Sequence, residues 1–275
     1  MQINENPNQY QVSGRKPLGA VLPEGLLVDR KWLKSMGFNR PLVDYYLRSG
    51  ALQAVARGIY RWPGPALKWQ HLVYSLQELG FALHIGGRSA LDHQGMVHYL
   101  PMAGRETIHL YAGGKLPGWL SSVETNAEFA LHSRALFTAD VPVAGYTRLP
   151  FGSWDWPLNY STRERALLEY VDGLPERADL DMADKYMEGA TSFRPELLMS
   201  LLQACKRIRT KRLFLWLAQR HQHAWLAQLN ENALELGSGK RMVYKNGVLD
   251  KRYRITVPRE YANGEKPDGT GQPLF

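Results

Sequence analysis

The sequence predicts a mixed α/β (α+β) protein: a winged helix-turn-helix on residues 15–65, followed by a larger mixed α/β domain on residues 66–260. Three observations carry this. Residues 26–62 hold two short, glycine-terminated helical runs and then a basic hairpin; residues 81–160 read as short strands and turns; and from Ser161 apolar residues recur at helical spacing. A length of 275 residues, 44% hydrophobic and 22% charged, suits globular material with one large core or two smaller ones.

Charge and cysteine content narrow the classes. Lys and Arg exceed Asp and Glu by eight, giving a field that attracts polyanions or an acidic partner. The single cysteine, Cys205, excludes an internal disulfide framework, and without a C-x-x-C spacing structural zinc is not expected. The N-terminus lacks a cationic and then apolar leader, and nowhere do about 18 apolar residues run together. The expectation is a soluble protein of the reducing cytoplasm with no membrane partner.

The ends, residues 1–14 and 261–275, are polar or rich in Gly and Pro and are expected to be loose. In "LLVDRKWLKSMGF", Asp29 caps a short helix with Trp32, Leu33 and Met36 on one apolar face and Gly37 as its stop. Asn39 then caps a second helix. Val43, Tyr46 and Leu47 face inward, Gly50 ends it, and Arg40, Asp44 and Arg48 form an outward i, i+4 row with Tyr45 beside them. After this helix-turn-helix, "LQAV" and "IYRW" flank "ARG": Gly58 accepts the positive φ of a hairpin turn, and Arg57 and Arg61 lie at or near its tip. Such an order suits DNA, with the second helix in the major groove and the basic hairpin on a neighbouring groove or on phosphates. Arg40 or Arg48 could pair bidentately with guanine; Lys31, Lys34, Arg57 and Arg61 are better placed for phosphate. The same row also reads as a self-paired solvated face, with no partner at all.

Beyond "WPGPA", Trp69, Leu72, Val73, Leu76 and Leu79 recur at helical spacing up to Gly80. "FALHI", "TIHLYAGG" and "PFGSWDWPLNY" read as strands and turns. Ser161 and Glu164 are spaced as a capping box before "RALLEYV", Pro195 opens "ELLMSLLQAC", and "LFLWLAQ" with "AWLAQL" carries the helical region to Leu229. In "RMVYKNGVLDKRYRITVP", Asn246-Gly247 stands between two strand-like runs as the turn of a hairpin. Two basic clusters make a second candidate surface for nucleic acid or a partner: Lys206, Arg207, Arg209, Lys211 and Arg212, read as joining two helices, and Lys240, Arg241, Lys245, Lys251, Arg252 and Arg254 on the terminal hairpin. The competing reading is a solvated connector and a charged edge strand.

Catalytic signatures fail when tested. "LELGSGKRM" has Leu234 five before Gly239 and Arg241 where a phosphate loop needs Ser or Thr. "GGRS", residues 86–89, resembles the opening of a nucleotidyltransferase site, but "MVHYLP" stands where paired metal-binding carboxylates belong; a degenerate, non-catalytic relative of that fold remains open. His221 and His223 would diverge on a helix, Asp92-His93 with Ser89 is too local for a triad, Cys205 reads as core, and Trp69, Trp154 and Trp156 read as core or interface before base stacking. No catalytic residue, metal or cofactor is expected.

The segment from Leu26 to Trp62 resembles the N-terminal winged helix-turn-helix of the AbiEi antitoxins of type IV toxin-antitoxin (abortive infection) systems. The resemblance continues through "HIGGRSALDHQGMVHYLP" (84–101), "LPFGSWDWPLNYSTRERALLEYVDGLP" (149–175), "KRLFLWLAQRHQHAWL" (211–226) and "LELGSGKRMVYKNGVLDKRYRITVP" (234–258), and the last two are the most specific. It implies an N-terminal domain that binds inverted repeats in its own promoter; the expected state is a monomer in solution or a dimer on DNA. It also implies a C-terminal domain that counters a nucleotidyltransferase-like toxin without needing a stable complex. By position, Arg40, Asp44, Tyr45 and Arg48 would read and Arg57 and Arg61 would form the wing. The alternative is a transcriptional regulator without a toxin partner, its C-terminal domain binding a ligand or another protein.

Overall fold

A computed structural model describes residues 17–96, 105–153, 155–176 and 178–262. The N-terminal tail, residues 263–275 of the C-terminal one, Trp154 and most of "MVHYLP" lie outside them; Tyr261, expected to open the loose C-terminal tail, is instead buried at 4% exposure, so the packed region runs to the end of the described residues. The described residues form two compact units, one made of residues 17–82 with Lys115–Glu128, the other of those in Leu83–Gly114 with those from Phe129 to Ala262.

In the first unit a short helix α1 (Leu18–Val21) leads to strand β1 (Leu27–Asp29), helices α2 (Arg30–Ser35) and α3 (Arg40–Arg48), strands β2 (Gln53–Ala56) and β3 (Ile59–Arg61), and helix α4 (Trp69–Glu78). The strands make one antiparallel sheet in the order β1-β3-β2. Helix, strand, two helices and a hairpin whose second strand pairs back to the first strand is the topology of a winged helix. Both predicted caps are present: Asp29 Oδ1 accepts the Trp32 N–H at 2.6 Å, and Asn39 Oδ1 accepts that of Leu42 at 3.2 Å. Leu33, Phe38, Val43 and Leu52 are buried beneath the helices. Met36 is not part of that apolar face; it lies in the turn after α2 with 45% exposure. β1 has no local signature, since its three residues become a strand only by pairing Leu27 with Arg61 and Asp29 with Ile59. This unit runs past residue 65. The Ser75 hydroxyl on α4 accepts the buried Leu27 N–H at 2.8 Å, and Asn126 accepts that of Trp69 at 3.0 Å, so α4 and the segment around Asn126 are part of the winged unit.

The second unit is built on strand β4 (Leu83–Ile85), helix α5 (Gly87–His93), and strands β5 (Glu106–Ala112), β6 (Ala127–Ser133), β7 (Tyr146–Phe151) and β8 (Trp156–Ser161). Their sheet has the order β6-β5-β4-β8-β7, with β4 parallel to β8 and antiparallel to β5. Helices α6 (Arg163–Asp172), α7 (Leu180–Glu188), α8 (Pro195–Ala204) and α9 (Ile208–His221) follow, then a small hairpin of β9 (Val248–Asp250) and β10 (Ile255–Val257) and a terminal turn α10 (Arg259–Ala262). α6 is the hub: its residues from Glu164 to Asp172 are all buried, among α5, α7, α8 and α9.

Three local expectations change here. Ser161 ends β8 rather than capping α6; its hydroxyl donates to Glu169 at 2.8 Å, while Glu164 accepts from Arg194 at 2.9 Å, so neither is left for a capping box. "AWLAQL" is no continuation of α9, because Gln222 turns left-handed (φ 48°) and only a short 3₁₀ segment, Leu226–Gln228, follows. Asn246-Gly247 turns the chain before β9, and the hairpin itself is closed by residues 251–254, with Asp250 accepting the Tyr253 N–H at 2.7 Å.

Candidate nucleic-acid interface

The two capped helices and the wing fix where the predicted reading residues stand. Lys31 and Lys34 are exposed on α2, Tyr45 and Arg48 on α3, and Arg57 at the wing tip beside Gly58, whose φ of 78° provides the left-handed turn. The outward row of α3 is unequal. Asp44 pairs with Arg40, whose side chain is 81% exposed, at 3.7 Å, and with Arg30 of α2 at 3.4 Å. Among the described residues Arg48 donates to the backbone carbonyl of Asp44, at 3.3 Å, forms no ion pair and is exposed. Tyr45 packs edge-on against Tyr46 at 5.7 Å between centroids, which orients an exposed ring on the reading face.

Arg61 departs from its expected role. Its guanidinium donates to Gln53 Oε1 at 3.0 Å, to the Pro65 carbonyl at 2.7 Å and to the Gly64 carbonyl at 3.1 Å. It therefore braces the base of the wing and the loop that follows. Arg30 was not foreseen. Its Nε donates to the Tyr60 hydroxyl at 2.7 Å, a contact made by the pairing of β1 with β3, so residue order alone carries no signal for it.

The second candidate surface divides. Residues 208–212 are the first turns of α9 rather than a connector, and Lys211 and Arg212 are buried, donating to backbone carbonyls of residues 235–239. Arg207 pairs with Asp172 at 2.6 Å, and Arg209 with Glu176 at 3.6 Å. Helix packing thus consumes most of this cluster and leaves Lys206 exposed. On the other cluster Arg252 is held by Glu231 at 3.0 Å and Gln219 at 2.6 Å, while Lys240, Arg241, Lys245 and Lys251 stand exposed.

The Gly-Gly-Arg-Ser turn opens α5 with its anion position filled from within. Glu169 of α6 accepts from His84 Nε2 at 2.9 Å, the Gly87 N–H at 3.1 Å, Ser161 Oγ at 2.8 Å and Arg165 Nε at 2.8 Å. Burial would raise this carboxyl, but His84 and Arg165 outweigh it and hold the group down at about 2. Burial in turn lowers the titration of His84 against the pull of Glu169, and the Arg165 guanidinium that pairs with the same carboxylate lies against the rings of Tyr146 (4.1 Å) and Phe137 (4.6 Å). A Cβ at Gly86 would lie 2.3 Å from Glu169 Oε2, so the glycine is required by this approach. Beside it, a cavity of about 60 Å³ is lined by Arg88, His109, His132, Asp172 and Arg207, with His109 Nδ1 and His132 Nε2 2.9 Å apart.

His221 and His223 stack, with centroids 6.0 Å apart, because Gln222 ends the helix between them; Asp184 binds the former and the Met187 carbonyl the latter. No group of three metal-ligating side chains occurs among the described residues, and no described helix is long and apolar enough to cross a membrane. Trp69, Trp156 and Cys205 are core, and burial pushes the Cys205 thiol up to about 11.

A winged helix with exposed basic residues on its second helix and wing, joined to a second mixed α/β unit, is an architecture used by DNA-binding regulators. Family models agree with it: residues 105–258 match the "Transcriptional regulator, AbiEi antitoxin, Type IV TA system" model, and residues 13–102 match the AbiEi antitoxin N-terminal domain. The chain therefore belongs to the AbiEi antitoxin family of type IV toxin-antitoxin systems, a family of transcriptional regulators. Among solved structures it is similar to the RV2827C protein of Mycobacterium tuberculosis, at 15% identity and a TM-score of 0.51 over 84% of this chain and 85% of that one; this is a likeness of fold. No curated protein matches the chain.

Proposed function

We propose that the protein represses its own operon by binding inverted repeats in the promoter through the winged unit, and that the second unit counters a nucleotidyltransferase-like toxin encoded beside it. The observation that carries the first half is the inequality of the basic residues: Arg48 and Arg57 reach outward from the second helix and the wing, while Arg30 and Arg40 share Asp44 and Arg61 is tied to its own loop. Two copies on a two-fold site would place α3 in successive major grooves with Arg57 on flanking phosphates. The second half rests on family membership and on a second unit whose phosphate-like position is already occupied by Glu169, which suits a partner role better than catalysis.

A salt-titrated binding assay tests it, with the duplex upstream of the reading frame against a scrambled duplex, for the parent and for Arg48→Ala with Arg57→Ala. Preference for the upstream duplex at physiological salt, lost in the double variant, supports the reading. Equal, salt-sensitive binding to both duplexes by both proteins overturns it. Rescue of growth when the chain is co-expressed with the neighbouring toxin tests the second half, and absence of rescue rejects it.

A further inference from the structure

The loop that follows the second unit's last 3₁₀ segment is built around two arginines. The carbonyls of four successive residues accept from guanidinium groups: Arg212 serves Leu236 at 2.6 Å, Gly237 at 2.7 Å and Gly239 at 2.6 Å, and Arg254 serves Ser238. A trans peptide sets each following N–H opposite its carbonyl. The N–H groups of Gly237, Ser238, Gly239 and Lys240 are accordingly turned to the other side, where all four residues are exposed, and none of them donates to another described residue. Gly237 takes a left-handed conformation (φ 65°) and packs so closely on Ile208 that a Cβ would lie 2.9 Å from its Cδ1.

Charge around this loop is uncompensated. Arg207, Arg209 and Arg252 each have a carboxylate, whereas Arg212, Lys240, Arg241, Lys245, Lys251 and Arg254 form no ion pair among the described residues. Arg212 is pulled below the usual arginine range by burial and by the neighbouring charges of Arg241 and Arg254. Three guanidinium groups thus repel one another beneath a face of outward N–H donors, an arrangement that an arriving anion relieves.

We propose that loop 237–241, carrying Lys240 and Arg241, is a second nucleic-acid contact that takes the phosphodiester backbone of a strand, separate from the N-terminal reader. The carbonyls converge, so the N–H groups diverge, and no single enclosed phosphate could engage them together. Donors and cations spread in this way serve successive phosphates along a strand. An acidic protein would call for an apolar centre to its interface, whereas the loop itself is Gly237, Ser238, Gly239, Lys240 and Arg241. The proposal does not depend on promoter recognition.

The test uses the full chain carrying Arg48→Ala and Arg57→Ala, so that the reader is disabled, with and without Lys240→Gln and Arg241→Gln. Fluorescence anisotropy follows binding to random-sequence duplex DNA and to single-stranded RNA of about 12 nucleotides. Removing the two cations is expected to weaken binding about tenfold at low salt. The slope of log K against log salt should fall by about 1.8 on duplex or about 1.4 on the single strand. The nucleic acid that shows the larger loss is the one the loop serves. Because both residues are exposed, unfolding midpoints should match. If the parent of this pair binds neither nucleic acid, or if affinity and slope survive the substitutions, the proposal is overturned whatever the promoter assay shows.

Discussion

Arg30 and Asp44 join the two helices of the winged unit, the guanidinium donating to Oδ1 at 3.4 Å while the same carboxylate also holds Arg40. Asp44 therefore limits the positive charge that the reading face shows to any duplex. Asp44→Asn should raise affinity for scrambled DNA, steepen the salt dependence by about one phosphate contact and reduce discrimination. Both partners are well exposed, so stability should change by less than about 1 kcal/mol. Titrations of cognate and scrambled duplexes decide this; unchanged discrimination would sink it.

The two wing arginines should separate. Arg57→Ala is expected to weaken binding to all duplexes alike and lower the salt slope by about 0.9, with stability unchanged within about 0.5 kcal/mol. Arg61→Ala removes three hydrogen bonds at the wing base and should cost about 1–2 kcal/mol in urea unfolding. Equal behaviour of the two variants in both assays would contradict their different surroundings.

Glu169 is a buried carboxylate held at about 2 from an ordinary 4.5, so its stabilisation is complete above the unfolded value and is lost as pH falls from about 5 towards 2. Glu169→Gln leaves Arg165 and the Gly87 N–H without their anion and should cost about 3–5 kcal/mol at neutral pH. The variant's stability should then vary less with pH than the parent's across that window. Parallel curves would show that another group carries the acid sensitivity.

His109 lies next to His132, with burial first and the His132 and Arg88 charges second lowering its titration to about 4. Imidazole NMR shifts should show it neutral at pH 5.5, where an ordinary histidine is mostly protonated. Since its folded value lies below its unfolded one, it contributes stability that is present above about 6.5 and is lost as pH falls towards 4. A midpoint near 6.5 would refute the packing argument.

Arg212 is a structural clamp. Arg212→Met should cost about 2–4 kcal/mol and speed amide exchange across residues 236–241, and Arg212→Lys should not restore protection, because the three carbonyls are met by three separate guanidinium nitrogens and a single ammonium nitrogen cannot stand at all three places. Unaltered exchange in the lysine variant would place the loop's order elsewhere.

Much of the winged unit was legible because its signals are local. Asp29 and Asn39 cap helices within three residues of themselves, and Gly58 meets a turn requirement at its own position. The Asn246-Gly247 signal was equally local and misled: its turn formed, but strand pairing was decided by Val248–Asp250 meeting Ile255–Val257. Of the candidate site, the outward row of α3 was readable from periodicity, whereas Arg30 and Arg61 acquired their partners from β-pairing and from the loop after the wing.

By itself, then, the sequence determined the starts of the two winged-unit helices, the wing turn, the basic balance and, through its motifs, the family. Tertiary structure alone decided which cations remain free. Lys211 and Arg212 sit two to five residues from Arg207 and Arg209 and are chemically alike, yet one pair is buried against carbonyls and the other meets Asp172 and Glu176. A charge can be buried only where packing supplies its hydrogen-bond partners, and those partners arrive from residues far along the chain.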